Sequence, residues 1–258
     1  MSGLINNTGL SFGTGLEFMQ GLGGAGLTVS AAFNPLSLQP IALWNPANVA
    51  SLWKDTAGTI PVTADGDAVA RIDDLSGNGN NLLQSTASSR PLWRSSGGLS
   101  WLEFDGVDDF FEKTTAVFGQ MYVSIALRVA ATGYHNVYDT YPGTNPMLWI
   151  DPSGRLEVDS AALVSAASVV GANHAVLVRH KTGTAVTYIQ IDNLNTVTAA
   201  GATIEYSNNL TMFNRAGANT YNGRFYGAVF VKQAEDLSAA NILGLRQWAG
   251  SLCGVNIS

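Results

Sequence analysis

Residues 73–81 read DDLSGNGNN, with two Asp, two Gly and three Asn in nine positions. Neither a helix nor a strand interior tolerates that density of Gly, Asn and Asp. Gly77 and Gly79 reach positive φ at little cost, and Asn78 tolerates the left-handed region. Asp74 and Ser76 can accept hydrogen bonds from backbone N–H groups two residues on. The segment is therefore expected to be a rigid turn built by Asp74, Ser76, Gly77, Asn78 and Gly79. The alternative is a calcium loop, with Asp73, Asp74 and Asn78 giving oxygens and Asp105 or Asp108 helping to complete the shell. Calcium takes about six to eight oxygen ligands, and the nonamer lacks the spacing and terminal Glu of an EF-hand. The expectation is a fold-defining turn with no resident metal or cofactor, and calcium as the alternative.

Outward from the turn, short runs rich in Val, Ile, Tyr, Phe and Trp alternate with Gly, Asn, Asp and Pro clusters. Strands are expected at 68–72 (AVARI), 100–105 (SWLEFD), 121–130 (MYVSIALRVA), 174–180 (HAVLVRH), 184–192 (TAVTYIQID) and 224–232 (RFYGAVFVK). Many short strands without intervening helices imply an all-β antiparallel sandwich. Two helices are expected. A short one lies near 46–53. A longer one covers about 238–252, with Ser238 as N-cap, Ile242, Leu245, Ala249 and Leu252 on one face, and Gly254 at the C-cap.

The 258-residue chain divides at about residue 40 into an arm (1–40) and a β domain (41–258). Glu17 is the single charged side chain of residues 1–33, and Gly alternates there with Leu and Phe. Such a segment is too apolar for a solvated linker and too rich in Gly to hold a helix alone. An arm that orders against neighbouring subunits accounts for both properties. Gly21, Gly23 and Gly26 match G-x-G-x-x-G, but no strand–helix context surrounds them, so no dinucleotide site is expected. A net charge of −6 argues against nucleic acid as a partner. The single Cys253 excludes an intrachain disulfide and a cysteine zinc site. No Lys or Arg precedes Lys54, so residues 1–33 do not read as a secretory signal. No apolar run of about 18 residues is present, so no membrane insertion is expected.

The stretch 43–111 carries LW at 43–44, KDTAGTIPVTADGD at 54–67, DLSGNGN at 74–80, RP at 90–91 and LEFDGVDDF at 102–110. Together with YNGRFYGAVFVKQAEDLSAANILGLRQWAGSLCG at 221–254, it resembles the laminin-G-like, concanavalin A-like jelly-roll domains of phage and gene-transfer-agent virion proteins. The resemblance covers about 41–256 and leaves out the arm. It implies a concanavalin A-like jelly roll and a virion role as a tail, head-spike, fibre or decoration protein. In such families the sandwich commonly binds sugars or mediates adhesion, sometimes with calcium, and some members are purely architectural.

Glu103, Asp105 and Asp108 approach the E-x-D-x-x-E pattern of concanavalin-like glucanases, with Asp in the third place. Asp105 and Asp108 also read as turn residues around Gly106. The expectation is no catalytic residue and no enzyme, with a glycan hydrolase as a remote alternative. His135, His174 and His180 have no metal spacing and read as structural. A sugar-binding face needs exposed aromatics with amides and carboxylates. Candidates are Tyr134, His135, Tyr138, Asp139, Tyr141 and Asn145 in one stretch, and Asn214, Arg215, Asn219, Tyr221 and Asn222 in another. The expected protein is a homo-oligomeric virion subunit, made in the bacterial cytoplasm without a signal peptide. Its arm would dock on other virion proteins, and its jelly roll would face outward toward cell-surface polysaccharide. The alternative role is that of an adhesin whose main task is carbohydrate binding.

Overall fold

The computed structural model describes residues 32–258, apart from 115–119, 140–146, 159–162, 181–185, 201–208, 215–218 and 233–235. The arm through residue 31, with its glycine motif, lies outside the described residues. The rest is an antiparallel β-sandwich with one α-helix. Asn222–Lys232 is the spine of the first sheet. Met121–Val129 pairs along one side of it. Leu99–Asp105 and then Ala42–Trp44 share the other side. His174–His180, Val186–Ile191 and Val197–Ala200 extend the sheet one way, and Leu92–Ser96 forms the opposite edge. The second sheet runs from Leu163–Ser168 through Arg155–Val158, Leu148–Ile150, His135–Asp139, Asn209–Met212 and Phe111–Thr114. It then passes through Leu82–Leu83 and Arg71–Ile72 to Leu52–Trp53.

Alternation along the strands fills the space between the sheets. Leu102 and Phe104 point inward from one strand, and Ile125, Leu127 and Val129 from another. Phe104 is the hub of an aromatic cluster, with ring centroids 4.3 Å from Phe213, 5.8 Å from Tyr221 and 6.2 Å from Phe111. A polar contact lies within this core: the Tyr138 hydroxyl and His180 Nε2 share a hydrogen bond of 2.5 Å, and both residues are fully buried.

The helix spans Ala239–Cys253. Ser238 caps it by accepting from the Asn241 N–H, and Gly254 closes it in the left-handed conformation at φ 76°. Leu245 packs with Tyr122, Leu177 and Val229, and Ala249 and Cys253 pack with Trp101, Ala126 and Tyr226. The helix thus lies on the outer face of the first sheet. Burial pushes the Cys253 thiol up to about 12, consistent with a packing role. Phe33 and Leu38 join the cluster around Leu245. A Cβ on Gly244 would come within 2.2 Å of the Phe33 ring. Residues 33–38 therefore belong to the sandwich, ahead of the boundary at 41 that composition suggests.

Two local expectations are corrected. Residues 46–53 form no α-helix; a 3-10 turn at Val49–Ser51 runs into a strand at Leu52–Trp53. Pairing with Arg71–Ile72 outweighs the local helical pattern. In AVARI only Arg71–Ile72 is a strand. Ala68 bridges Leu92 of the first sheet, while Arg71–Ile72 belongs to the second. The segment therefore passes between sheets and cannot pair along its full length.

DDLSGNGNN is a turn tied to the sheet behind it. One Asp74 oxygen accepts from the backbone N–H of Leu43 and of Ser76, both at 2.9 Å. The other accepts from the Ser76 hydroxyl at 2.8 Å and the Asn80 N–H at 3.0 Å. Gly77 and Gly79 take φ of 86° and 73°. Asn78 donates to the carbonyls of Pro40 at 2.9 Å and Ile41 at 3.1 Å. Asp73 accepts from Arg71 Nε at 2.6 Å and Trp53 Nε1 at 2.7 Å. The carboxylates of Asp73 and Asp74 are thus engaged by protein donors, which hold the turn in shape by themselves. Asp105 and Asp108 cannot complete a calcium shell here. Asp105 pairs with Asn222 and Ala42 with Phe230 of the same strand, roughly 25 Å apart at about 3.3 Å per residue.

Candidate functional site

LEFDGVDDF ends one strand of the first sheet and leads into the second. The Leu99–Asp105 strand sends Phe104 inward and Glu103 outward. Gly106 then turns the chain at φ 80°, and Asp105 Oδ1 accepts from the Val107 N–H at 2.7 Å. The Ser89 hydroxyl donates to Asp108 at 2.7 Å, which fixes the loop against the Ala87–Ser89 turn. Asp109 is 5% exposed and accepts from the Asp105 N–H at 3.0 Å.

Glu103, Phe104, Asp105 and Asp109 line a cleft of about 530 Å3 together with Arg90, Arg94 and Asn222. Arg94 Nε donates to Glu103 at 2.9 Å, and its Nη1 reaches Asp65 at 3.2 Å. Arg90 is held by the carbonyls of Gln84, Lys54 and Ser85 at 3.1–3.2 Å. Asp105, Asp108 and Asp109 each offer an oxygen, all within 4.8 Å of one another. Burial, reinforced by the charges of Asp105 and Asp108, pushes the Asp109 carboxyl up to about 6, against the pull of the Asp105 N–H. The cleft thus holds one carboxyl poised to carry a proton, with other carboxylates beside it.

A pH dependence follows. The unfolded chain gives up the Asp109 proton near pH 4 and the folded chain near 6, so stability falls as pH rises between them. Asp109→Asn is expected to stabilise the protein by about 1–2 kcal/mol at pH 7 and to change little at pH 4. Urea midpoints at the two pH values measure the difference. Equal effects at both would show that burial does not hold the proton there.

The sugar-facing candidates distribute differently from the expectation. Tyr138 and Tyr221 are core residues, fully buried. The ring nitrogens of His135 lie 2.7 Å from the Thr220 carbonyl and 3.0 Å from that of Ala131. Asp139 and Asn214 are also buried. The reading of these five as an exposed face is corrected: the sandwich uses its aromatics between the sheets, and polar neighbours lock the rest. The two stretches do adjoin, since Asn136 N–H donates to the Asn219 carbonyl and Asn136 Nδ2 to that of Asn214. Asn219 is exposed. Tyr134 is 52% exposed and stacks on Trp149 at 5.2 Å and 5°. Tyr141, Asn145 and Arg215 lie outside the described residues. Asn222 lines the cleft. Of the other histidines, His174 bonds Asp192 at 2.7 Å, and His180 is the core residue paired with Tyr138.

Sequence reading missed Asp109, Arg90 and Arg94. The signal for Asp109 is positional: it stands two residues before the buried Phe111, on the approach to a strand. The arginines gave no signal before the strand register was known.

No family model and no curated protein matches the chain. Among solved structures, it is similar to an arabinofuranosidase complexed with arabinofuranosyl-α-1,2-xylobiose. The identity is 12% and the TM-score 0.53, over 85% of this chain and 65% of that one. An α-L-arabinofuranosidase mutant soaked with 4-nitrophenyl α-L-arabinofuranoside gives 12% and 0.50 over the same shares. A Trypanosoma rangeli sialidase in complex with the inhibitor DANA gives 13% and 0.49, over 78% of this chain and 36% of that one. The chain thus spans less than two thirds of the length of each of these proteins. At such identity the likeness is one of fold. It nonetheless corrects the expectation that the chain is not an enzyme: the structures sharing its β-sandwich include arabinofuranosidases, so this fold gives no ground for setting catalysis aside.

Proposed function

We propose that this chain is a glycan-binding β-sandwich displayed outward on a phage or phage-like particle, attached by its Gly/Leu arm to the particle and to sister subunits. The observation supporting glycan binding is the cleft, where Arg90, Arg94, Glu103, Asp105, Asp109 and Asn222 converge. A few fixed polar groups in a concave site are what recognition of sugar hydroxyls requires. The particle role rests on the resemblance of 41–256 to virion jelly rolls and on the composition of the arm. An array of host capsular and surface polysaccharides, probed with the full chain, tests the binding. Affinity is expected to fall at least tenfold in Asn222→Ala, and no binding to any host glycan would end this reading. The chain lacking 1–31 should keep its glycan affinity and fail to join the particle; normal incorporation would refute the arm's role.

A second reading is favoured by one observation. Asp109, shifted to about 6, offers an oxygen within 4.8 Å of one from Asp105. A retaining glycosidase places an acid and a nucleophile about 5 Å apart. In that reading Asp109 is the acid and Asp105 the nucleophile, while Glu103 is bound to Arg94. Release of reducing sugar that disappears in Asp109→Asn would establish it over simple binding.

A further inference from the structure

The helix covers the outer face of the first sheet over Ala126, Tyr226 and Trp101. Beyond that cover the register sets Glu103 opposite Arg224 and Arg224 opposite Arg128, one row across three strands. Leu127, Val129 and Phe225, which flank the arginines in sequence, are core residues, so both arginines point outward. Each is half-buried. The Arg224 guanidinium carbon lies over the Trp101 ring, 4.3 Å from its centroid, a cation–π contact that helps to hold the side chain in place. Glu103 is engaged by Arg94. Neither Arg224 nor Arg128 forms an ion pair among the described residues.

Directly opposed residues of an antiparallel pair have Cβ atoms about 5 Å apart, and like charges so placed are destabilising. The chain has six more acidic than basic residues, 19 against 13, yet neither arginine is in an ion pair among the described residues, and Glu103, the carboxylate opposite Arg224, is bonded to Arg94. An oxyanion held between the two guanidinium groups would turn the repulsion into charge-assisted hydrogen bonds, for which their planar forks are suited. Glu103 both adjoins Arg224 and lines the cleft, so an anion at the arginines would sit beside whatever occupies the cleft.

We propose that Arg128 and Arg224 form an oxyanion subsite next to the cleft, and that it selects glycans bearing a carboxylate or sulfate. The selection rests on the glycan-binding reading; the oxyanion site itself does not. The first arm of the test uses inorganic sulfate against sodium chloride at matched, low ionic strength. Sulfate is expected to raise the melting temperature of the full chain above chloride, and Arg128→Gln and Arg224→Gln are expected to lose that increment. In chloride, Arg128→Gln should melt no lower than the parent, because it removes one of two opposed like charges. If it does not fold, Arg128→Lys, which keeps the charge and loses the fork, is expected to show a diminished sulfate increment. A sulfate response unchanged in these variants would overturn the proposal.

The second arm compares oligosaccharides of one backbone with and without uronate or sulfate groups. A preference of at least tenfold for the acidic form, lost in Arg128→Gln while neutral binding persists, is the expected result. Equal binding of acidic and neutral forms would overturn the selection and leave glycan binding standing. Sulfate protection that tracks the arginines with no glycan bound would overturn glycan binding and leave the oxyanion subsite standing.

Discussion

Lowering the pH from about 6.5 toward 3 is expected to destabilise this protein steeply through one residue, His180. It lies between the two sheets, fully buried, with Nε2 hydrogen-bonded to Tyr138 and no partner for Nδ1 among the described residues. Burial pulls its pKa down to about 3. The unfolded chain takes up the imidazole proton near 6.5 and the folded chain only near 3. Between those values the unfolded state binds more protons, so stability is lost as pH falls, at up to about 1.4 kcal/mol per unit. Carboxylates contribute to acid unfolding too, so the test is a comparison. His180→Gln should reduce the proton uptake on unfolding between pH 5 and 4 by close to one. Tyr138→Phe should keep that uptake and cost about 1–3 kcal/mol at neutral pH, because the buried His180 Nε2 then loses its hydrogen-bond partner. Identical uptake in His180→Gln and the parent would show that the histidine can be charged in the fold.

The second large effect is expected at Asp74. Its two oxygens accept four hydrogen bonds, three from backbone N–H groups and one from Ser76. The Leu43 bond ties the nonamer to the strand Ala42–Trp44, which pairs with the central strand of the first sheet. Asp74→Ala leaves those donors without a partner, at about 1–3 kcal/mol for each that stays buried, and a loss of about 3–5 kcal/mol in all is expected. Asp74→Asn keeps two acceptor positions and should lose about half as much. Chemical denaturation at pH 7 reads both; a loss under 1 kcal/mol for Asp74→Ala would mean that water replaces the carboxylate. Addition of EDTA should not reproduce the effect, since the donors are protein groups.

Much of the sandwich is legible in sequence because period-two alternation is a local property. The strand at His174–His180 falls where its Val, Leu and His pattern puts it. The helix cap at Ser238 and the stop at Gly254 follow from side-chain and φ requirements that neighbouring residues set. AVARI and residues 46–53 escaped because pairing partners far along the chain decided them. The candidate site was less legible. Exposure of an aromatic depends on which face its strand buries, and Tyr138 and Tyr221 went to the core while Tyr134 stayed outside.

The sequence by itself determined an all-β chain, a fold-defining turn at DDLSGNGNN and one capped helix, since each depends on residues within a few positions of one another. Only the tertiary structure decided that Asp109 would be buried beside Asp105, that Asn222 and Arg94 would line one cleft, and that Arg128 would stand opposite Arg224. Asp105 and Asn222 are far apart in sequence and paired in the sheet. Strand register is a long-range property, set by how two hydrophobic faces close on each other, and it places the charges as a consequence.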